Sequence, residues 1–247
     1  MGTRVEVARV ERVAIVTLVD RERRNALTAA MVDELVAAFD ELEADDDIGA
    51  VVVTGDPPAF CSGADVANLG HLSSAAGSEE RSGITGLYEG FLRVFRSSLP
   101  TVAAVNGAAV GAGMNLALAC DVRVAAESAR FDPRFLRIGL HPGGGHVWML
   151  ERAIGPQAAA AMMLFGQALD GPEAAARGLA WECVPDDECV PFATDLAARA
   201  AGVPKPLAAR AKQTLRAAPW QPEFAQAVAL EVEHQTWSFG QGWFGAR

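Results

Sequence analysis

The sequence predicts an α/β domain that continues into a helical C-terminal part. Short apolar runs typical of buried strands alternate with helical patterns over roughly the first 140 residues, and from Pro156 onward the apolar spacing is helical and alanine-rich. The chain has 247 residues, enough to bury a sizeable core, and no Pro/Gly/Ser-rich linker separates independent domains. We therefore predict a core over residues 1–190 and a helical part over residues 191–247 within one structural unit.

The first elements follow from short local patterns. Residues 4–18 alternate apolar and polar side chains in two runs, which predicts a hairpin or two adjoining strands. Residues 28–43 predict a helix, because Thr28 is a favourable N-cap residue and apolar side chains follow at helical spacing. These apolar residues are Met31, Leu35, Phe39 and Leu42.

The next segment contains two strands and an insertion. Residues 50–54 (AVVVT) predict a buried strand, and residues 60–65 (FCSGAD) predict a strand that runs into a turn. Residues 66–83, which are rich in Ser and Gly at their centre, predict a mobile insertion over a site rather than a linker. A helix follows, with its apolar face on Tyr88, Phe91 and Phe95.

Residues 97–120 carry no charge, and residues 107–111 spell GAAVG. Taken alone, this pattern is typical of a transmembrane helix with a G-x-x-x-G dimerisation face. A proline and two asparagines interrupt the run, and its apolar residues are mostly small, so we predict no membrane span. Instead, residues 102–105 and 122–125 predict buried strands, with a Gly-rich turn and a helix over residues 112–120 between them.

The composition excludes several classes of protein. The chain has 21 basic and 31 acidic side chains and a formal net charge of −10, which argues against a nucleic-acid binder. The four cysteines share no C-x-x-C spacing, which favours reduced core residues over disulfides or a zinc site; they are Cys61, Cys120, Cys183 and Cys189. The N-terminus shows no apolar signal segment, so we expect a cytoplasmic protein.

Two strand-to-helix junctions are rich in small residues, at Ser62–Asp65 and at Gly107–Gly113. Small residues allow close backbone approach, and the first turn of a helix presents unpaired N–H groups. If the junctions face each other, two N–H donors can point at one oxygen as an oxyanion hole; ordinary tight packing of helix on strand is the alternative. The chain contains no G-x-x-x-x-G-K-[ST] loop, no G-x-S-x-G turn and no H-E-x-x-H motif.

Several ordered motifs resemble one family. They are RERRNAL at residues 21–27, AFCSGAD at 59–65, PTVAAVNG at 100–107, GAGMNLALACD at 111–121, IG at 138–139, PGGG at 142–145 and AAARGL at 174–179. With these motifs the chain resembles the enoyl-CoA hydratase/isomerase (crotonase) superfamily over nearly its whole length. The resemblance implies a crotonase-like ββα spiral fold and a C-terminal helical part that forms a homo-trimer, often paired into a hexamer.

The resemblance also implies a site. The backbone N–H groups of Ala64 and Ala112 would form the oxyanion hole for the carbonyl of an acyl-CoA thioester. The coenzyme A part would contact Arg24, Ala26, Leu27, Ser62, Ala64, Asp65 and Val66. Arg21, Arg23 and Arg24 supply local positive charge for a polyanionic ligand, although a solvated charge run is the alternative reading of each. No cofactor beyond the coenzyme A moiety of the substrate is expected.

The sequence departs from the family at the groups that move protons. Members that hydrate their substrate use two glutamates, and the matching positions here are Asn115 and Phe135, neither of which exchanges a proton near neutral pH. The aspartate that some relatives place in the following loop falls at Gly143. His141, beside the glycine run, is the leading substitute, with Asp132 and Asn115 as further candidates. His146, which closes the glycine run, is a weaker one.

These observations predict an enzyme that acts on an acyl-CoA thioester through enolate stabilisation, as an enoyl-CoA hydratase or isomerase with unusual acid–base groups. Two alternatives stay open. One is a non-catalytic acyl-CoA-binding protein that keeps the pocket without the glutamates. The other is a decarboxylase or C–C bond hydrolase of the same superfamily, in which the oxyanion hole is the main requirement.

Overall fold

Two mostly parallel sheets organise the computed structural model, which describes residues 2–65 and 78–244. The strands in chain order are β1 (Arg4–Val10), β2 (Val13–Val19), β3 (Ala50–Gly55), β4 (Ala59–Cys61), β5 (Thr101–Val105), β6 (Ala108–Val110), β7 (Val122–Ala126), β8 (Arg130–Asp132), β9 (Leu169–Asp170) and β10 (Glu182–Val184). The larger sheet has the order β1-β2-β3-β5-β7-β10, with β1 and β2 as an antiparallel hairpin. The smaller sheet has the order β4-β6-β8-β9, with β9 antiparallel to β8.

The helices follow the strands in a repeating pattern. They are α1 (Ala29–Ala44), α2 (Ser78–Arg96), α3 (Ala112–Ala119), α4 (His146–Phe165), α5 (Gly171–Ala176), α6 (Cys189–Ala201), α7 (Lys205–Ala217) and α8 (Phe224–Phe239). A strand of the larger sheet, a strand of the smaller sheet and a helix succeed one another three times, as β3-β4-α2, β5-β6-α3 and β7-β8-α4. The predicted ββα spiral is therefore confirmed.

The apolar runs of the sequence become the central strands. Every residue of β3 and of β5 is buried, as expected for parallel strands that are covered on both faces. Helix α1 begins as predicted, because the side-chain oxygen of Thr28 accepts a hydrogen bond from the backbone N–H of Met31 at 3.1 Å. Its predicted apolar face lies in the core, with Leu35 and Phe39 fully buried.

Four short strands were not predicted. β6 lies in the segment expected to be a Gly-rich turn, no element was predicted where β8 lies, and β9 and β10 interrupt the region after Pro156 that was expected to be helical. Strands of two or three residues carry no recognisable periodicity, because backbone pairing with a neighbouring strand holds them in place. Most of the predicted insertion over residues 66–83 lies outside the described residues.

The C-terminal part is helical, as predicted, and is anchored to the core. Helix α6 packs on β3 and β5, so the division predicted at residue 190 falls inside a helix of the core. The ammonium of Lys212 in α7 is buried, lies 2.6 Å from the carboxylate of Asp121 and donates to the carbonyl of Leu99 at 2.6 Å. Helix α8 buries no residue and leaves Phe224 85% exposed. Within the described ranges, no helix has the length and apolar character needed to cross a bilayer.

Candidate active site

The two Gly-rich junctions of the sequence lie in direct contact. One follows β4, where Gly63 adopts a φ of +101°, and the other follows β6, where Gly111 adopts a φ of +53° and precedes α3. Both angles lie in the left-handed region that favours glycine. A Cβ on Gly63 would lie 2.6 Å from the carbonyl oxygen of Val110, and a Cβ on Gly113 would lie 2.1 Å from that of Cys61. Only glycine allows this approach, so the small residues are a packing requirement.

The backbone amides of Ala64 and Ala112 belong to these junctions. Ala112 is the first residue of α3, so its N–H has no partner within the helix. A Cβ on Gly63 would lie 3.5 Å from the nitrogen of Ala112. Ala64 forms a parallel bridge with Leu27, whose N–H donates to the carbonyl of Gly63 at 2.8 Å. Because Leu27 makes its hydrogen bond to the residue before Ala64, the N–H of Ala64 itself points away from the Leu27 segment.

Both alanines line one cavity of about 490 Å³. Most of its wall is apolar, from Leu27, Leu87, Tyr88, Val110, Pro133, Phe135, Ile138, Leu140 and Pro142, with Ser62, Gly63, Gly111, Gly143, Arg134 and His141 completing it. Burial raises the pKa of the Tyr88 phenol, so the ring stays neutral at physiological pH. Among the described residues, no carboxylate lines this cavity, and Arg134 supplies its charged side chain.

The two positions matched to the family's glutamates differ in their relation to the cavity. Phe135 lines it, whereas Asn115 does not and is 1% exposed. The Asn115 amide donates from Nδ2 to the carbonyl of Gly143 at 3.0 Å, and its Oδ1 contacts Nδ1 of His146. His146 in turn packs edge-on against Phe135, with the ring centroids 4.9 Å apart. The imidazole of His146 therefore contacts the side chains of both positions.

The predicted acid–base candidates occupy different surroundings. His141 lines the cavity and is exposed, with its Nδ1 2.7 Å from the carbonyl oxygen of Pro142. A carbonyl accepts only, so Nδ1 carries the proton and Nε2 is an acceptor. Asp132 is 1% exposed and does not line the cavity. Its Oδ2 lies 2.9 Å from the guanidinium of Arg134 and 3.5 Å from that of Arg137, which makes Asp132 a partner for arginines.

The segment predicted to contact coenzyme A is held by Asn25, which the motif reading did not single out. Asn25 is buried at a φ of +59°, donates to the carbonyls of Asp56 at 2.8 Å and Ala59 at 2.7 Å, and accepts from the N–H of Asp20 at 2.9 Å. An asparagine tolerates this conformation, but its partners lie up to 35 residues away, so no local signal reveals them. The asparagine thereby ties residues 20–27 to the start of β4.

The arginines of that segment differ in their partners. Arg21 pairs with Asp56 at 2.9 Å, and Arg23 pairs with Asp20 at 3.3 Å. Arg24 is exposed, and its guanidinium forms no ion pair with any side chain in the ranges 2–65 and 86–244.

The other predicted contacts of coenzyme A lie beside this segment. Ser62 joins the two segments, since its N–H donates to the carbonyl of Arg24 at 3.0 Å and its hydroxyl donates to that of Arg23 at 2.7 Å. Ala26 and Leu27 are buried, and Asp65 is partly exposed. Val66 lies outside the described residues. In the part of the chain that the structure covers, no cluster of His, Cys, Asp and Glu could hold a metal ion.

Comparison with known proteins identifies the family. Residues 8–241 match the family model of enoyl-CoA hydratase/isomerase. The chain belongs to this family. A probable enoyl-CoA hydratase of Mycobacterium tuberculosis is 49% identical to this family member over 205 residues, which are 83% of this chain and 78% of the relative.

Solved structures of enoyl-CoA hydratases agree with the family. The crystal structure of an enoyl-CoA hydratase from Polaromonas sp. JS666 is similar, with a TM-score of 0.90 at 27% identity. The matched region covers 96% of this chain and 92% of the Polaromonas chain. A putative enoyl-CoA hydratase from Thermobifida fusca, solved in complex with CoA, is similar with a TM-score of 0.83 at 29% identity, over 96% and 93% of the two chains. The crotonase-like fold predicted from the motifs is confirmed.

Proposed function

We propose that this member of the enoyl-CoA hydratase/isomerase family processes acyl-CoA thioesters with an oxyanion hole made by the N–H groups of Ala64 and Ala112. The observation that carries the proposal is that both residues line one cavity, at two junctions that lie in contact. Donors fixed in a mostly apolar cavity stabilise a thioester oxygen as it gains enolate charge, and each is worth roughly 2.7–4 kcal/mol in comparable sites.

The coenzyme A part of the ligand would lie along residues 24–27 and 62–66. Two features support this placement: the hydrogen bonds of Ser62 hold the two segments together, and the exposed guanidinium of Arg24 is available for an anionic group. The solved T. fusca relative, which contains CoA, supports the same class of ligand. We propose no cofactor beyond this moiety of the substrate.

Hydration or double-bond isomerisation of an enoyl thioester is the chemistry that we propose. In hydration, water adds to the β-carbon while the electrons of the double bond move to the thioester oxygen, and the enolate then takes a proton at the α-carbon. In isomerisation, the α-carbon of a 3-enoyl thioester loses a proton to give a dienolate with its charge on the same thioester oxygen, and the γ-carbon then takes the proton back as the double bond moves to the 2-position. His141 is the acid–base candidate on the cavity wall, because its Nε2 is free of the Pro142 contact.

The lack of a carboxylate on the described part of the cavity wall also supports a second candidate, a non-catalytic acyl-CoA-binding protein. The same lack is compatible with a decarboxylase or C–C bond hydrolase of the superfamily, since those reactions depend chiefly on the oxyanion hole. A panel of 2-enoyl-CoA and 3-oxoacyl-CoA thioesters, with a binding titration for each, separates the candidates. Tight binding without turnover of any thioester would favour the binding protein.

We also propose that the protein is a cytoplasmic homo-trimer or hexamer. Exposed apolar side chains on α8, including Phe224 and Phe239, support association between copies. Burial raises the pKa of the Cys61, Cys120 and Cys189 thiols to about 12, which suits unreactive core thiols in a reducing compartment. Light scattering of the purified protein would test the oligomeric state, and a monomer at micromolar concentration would contradict it.

The oxyanion hole can be tested by deleting one donor. Ala112→Pro removes the N–H at the first position of α3, where proline is tolerated, and the preceding Gly111 accepts the required backbone. We expect kcat on a 2-enoyl-CoA to fall about 10²–10³-fold. Ala29→Pro is the matched control, since Ala29 is the exposed first residue of α1 and should keep full activity. Unchanged kcat in a folded Ala112→Pro variant would refute the donor role.

A further inference from the structure

His146, the first residue of α4, combines deep burial with an unsatisfied ring nitrogen. The residue is 1% exposed, and its Nδ1 contacts Oδ1 of Asn115. Its Nε2 is buried and has no hydrogen-bond partner in the described part of the chain. An orphaned buried nitrogen costs stability, and such a group in a native protein calls for an explanation, of which a catalytic role is one.

The hydrogen bonds around Asn115 fix which nitrogen carries the proton. The carbonyl of Gly143 can only accept, so the side of the Asn115 amide that faces it at 3.0 Å is the NH₂ group. Oδ1 therefore faces His146 and accepts the proton of Nδ1. In a neutral ring Nε2 is then an acceptor with a free lone pair, which is the form needed to take up a proton.

The imidazole of His146 is separated from the acyl cavity by residues of the cavity wall. Phe135, against which the imidazole packs, is part of the cavity wall, and so is Gly143, which the Asn115 amide holds. The imidazole thus lies one side chain behind the wall. It contacts the side chains of both positions at which the family resemblance leads one to expect a glutamate.

The pKa of the imidazole is similar to that of a glutamate. Burial lowers the pKa of His146 from 6.5 to about 4, close to the ordinary value of a glutamate carboxyl. Desolvation alone produces the shift, and Asn115 and Phe135, which contact the ring, carry no charge. The site therefore holds a base of glutamate strength that is uncharged when free, which costs less to bury beside Phe135 than a carboxylate does.

We propose that His146 is a catalytic residue that accepts, through Nε2, a proton from the water that hydrates the acyl group. This assignment rests on the proposed function. The proposal requires the Phe135 ring, which separates the imidazole from the cavity, to turn aside so that water reaches Nε2. His141, which lines the cavity, is the second proton-handling group, so that two imidazoles stand where the family resemblance implies two carboxylates.

The step balances without a further reactant. The water oxygen bonds to the β-carbon while Nε2 takes one water proton, and the electrons of the double bond move to the thioester oxygen to give the enolate. The imidazolium then returns its proton to the α-carbon as the carbonyl re-forms. The product is the 3-hydroxyacyl thioester, and the ring is again neutral. The enolate at Ala64 and Ala112 and the imidazolium offset each other's charge while both exist.

Nitrogen NMR of the full chain labelled with ¹⁵N-histidine tests the assignment without relying on turnover. The free protein should give a non-protonated Nε2 and a protonated Nδ1 for His146. Saturating 3-hydroxybutyryl-CoA, whose hydroxyl can donate to Nε2, should shift that resonance, whereas butyryl-CoA, which lacks the hydroxyl, should not. His234, which contacts Thr214 away from the cavity, is the internal control. Binding of both thioesters with no shift at His146 would overturn the assignment alone.

Variants extend the test to turnover. His146→Gln keeps an N–H for Asn115 but has no basic nitrogen, so kcat for 2-butenoyl-CoA should fall about 100-fold or more with KM little changed. The acidic limb of the pH profile, near pH 4 in the native protein, should disappear in the variant. Native kcat in folded His146→Gln would overturn the assignment. If neither thioester binds the native protein, the proposed function fails as well, and the binding titration identifies that outcome.

Discussion

At Gly113 the two junctions of the proposed oxyanion hole are in close backbone contact, so Gly113→Ala perturbs the site through packing alone. The added methyl carbon would lie 2.1 Å from the carbonyl oxygen of Cys61 and 2.7 Å from its carbonyl carbon. Both are backbone atoms at the end of β4, so no side chain can rotate to make room.

The structure sets the size of the effect. An ordinary contact between a methyl carbon and an oxygen needs roughly 3.2 Å or more, so α3 and β4 must separate by about 1 Å. Because Ala112 precedes Gly113, this shift moves one N–H donor relative to the other. A misplacement of about 1 Å costs on the order of 10²-fold in rate. We therefore expect kcat to fall about 100-fold, with an overpacking penalty of about 1–3 kcal/mol in the free energy of unfolding.

Steady-state hydration of a 2-enoyl-CoA, measured with thermal unfolding of the same preparations, checks the prediction. Gly202→Ala is the matched control, because a Cβ there would lie 3.6 Å from its nearest neighbours and the residue is remote from the cavity. The control should keep its kcat. Activity within threefold of the native protein in a folded Gly113→Ala variant would show that the contact between the junctions does not set the donor geometry.

Three further predictions concern stability and ligand binding. Burial lowers the pKa of His146 from 6.5 in the unfolded chain to about 4 in the folded protein. The free energy of unfolding, measured with urea, should therefore fall by about 3 kcal/mol as the pH drops from 6.5 to 4. An equal fall in His146→Gln would contradict this prediction. Asp121→Asn removes the carboxylate that pairs with the buried ammonium of Lys212, and it should lower the free energy of unfolding in urea by about 3–5 kcal/mol. Adding Lys212→Met should restore part of that stability, and no restoration would argue against the ion pair. Arg24→Ala should raise KM for an acyl-CoA more than Arg21→Ala, whose guanidinium is already paired, and equal effects would count against the proposed ligand path.

Much of the fold follows from local patterns that survive without tertiary context. The N-cap Thr28 and the apolar face of α1 are local signals, and the structure has both. The strands β3 and β5 can also be predicted from the sequence, since parallel strands that are covered on both faces are continuously apolar. The strands β6, β8, β9 and β10 were missed for the converse reason, because hydrogen bonds to neighbours distant in the chain define strands so short.

The candidate site divides in the same way. The small residues at 62–65 and 107–113 predicted two close backbone junctions, and their contact through Gly63 and Gly113 agrees with that prediction. An isolated carboxyl at Asp132 would be able to take up and release a proton, as the sequence predicts. Its ion pairs with Arg134 and Arg137 depend on how the turn after β8 folds, which spacing cannot show.

The sequence by itself determined the family resemblance, which implied the ββα spiral, and the absence of a glutamate at positions 115 and 135, because residue identity and motif spacing are properties of the chain. Only the tertiary structure decided what stands in contact with those positions. His146 lies 31 residues from Asn115, and its burial, its tautomer and the lack of a partner for Nε2 among the described residues result from the packing of α4 against α3 and Phe135. Contacts of this kind depend on which faces meet in the folded core, and the order of residues along the chain leaves that open.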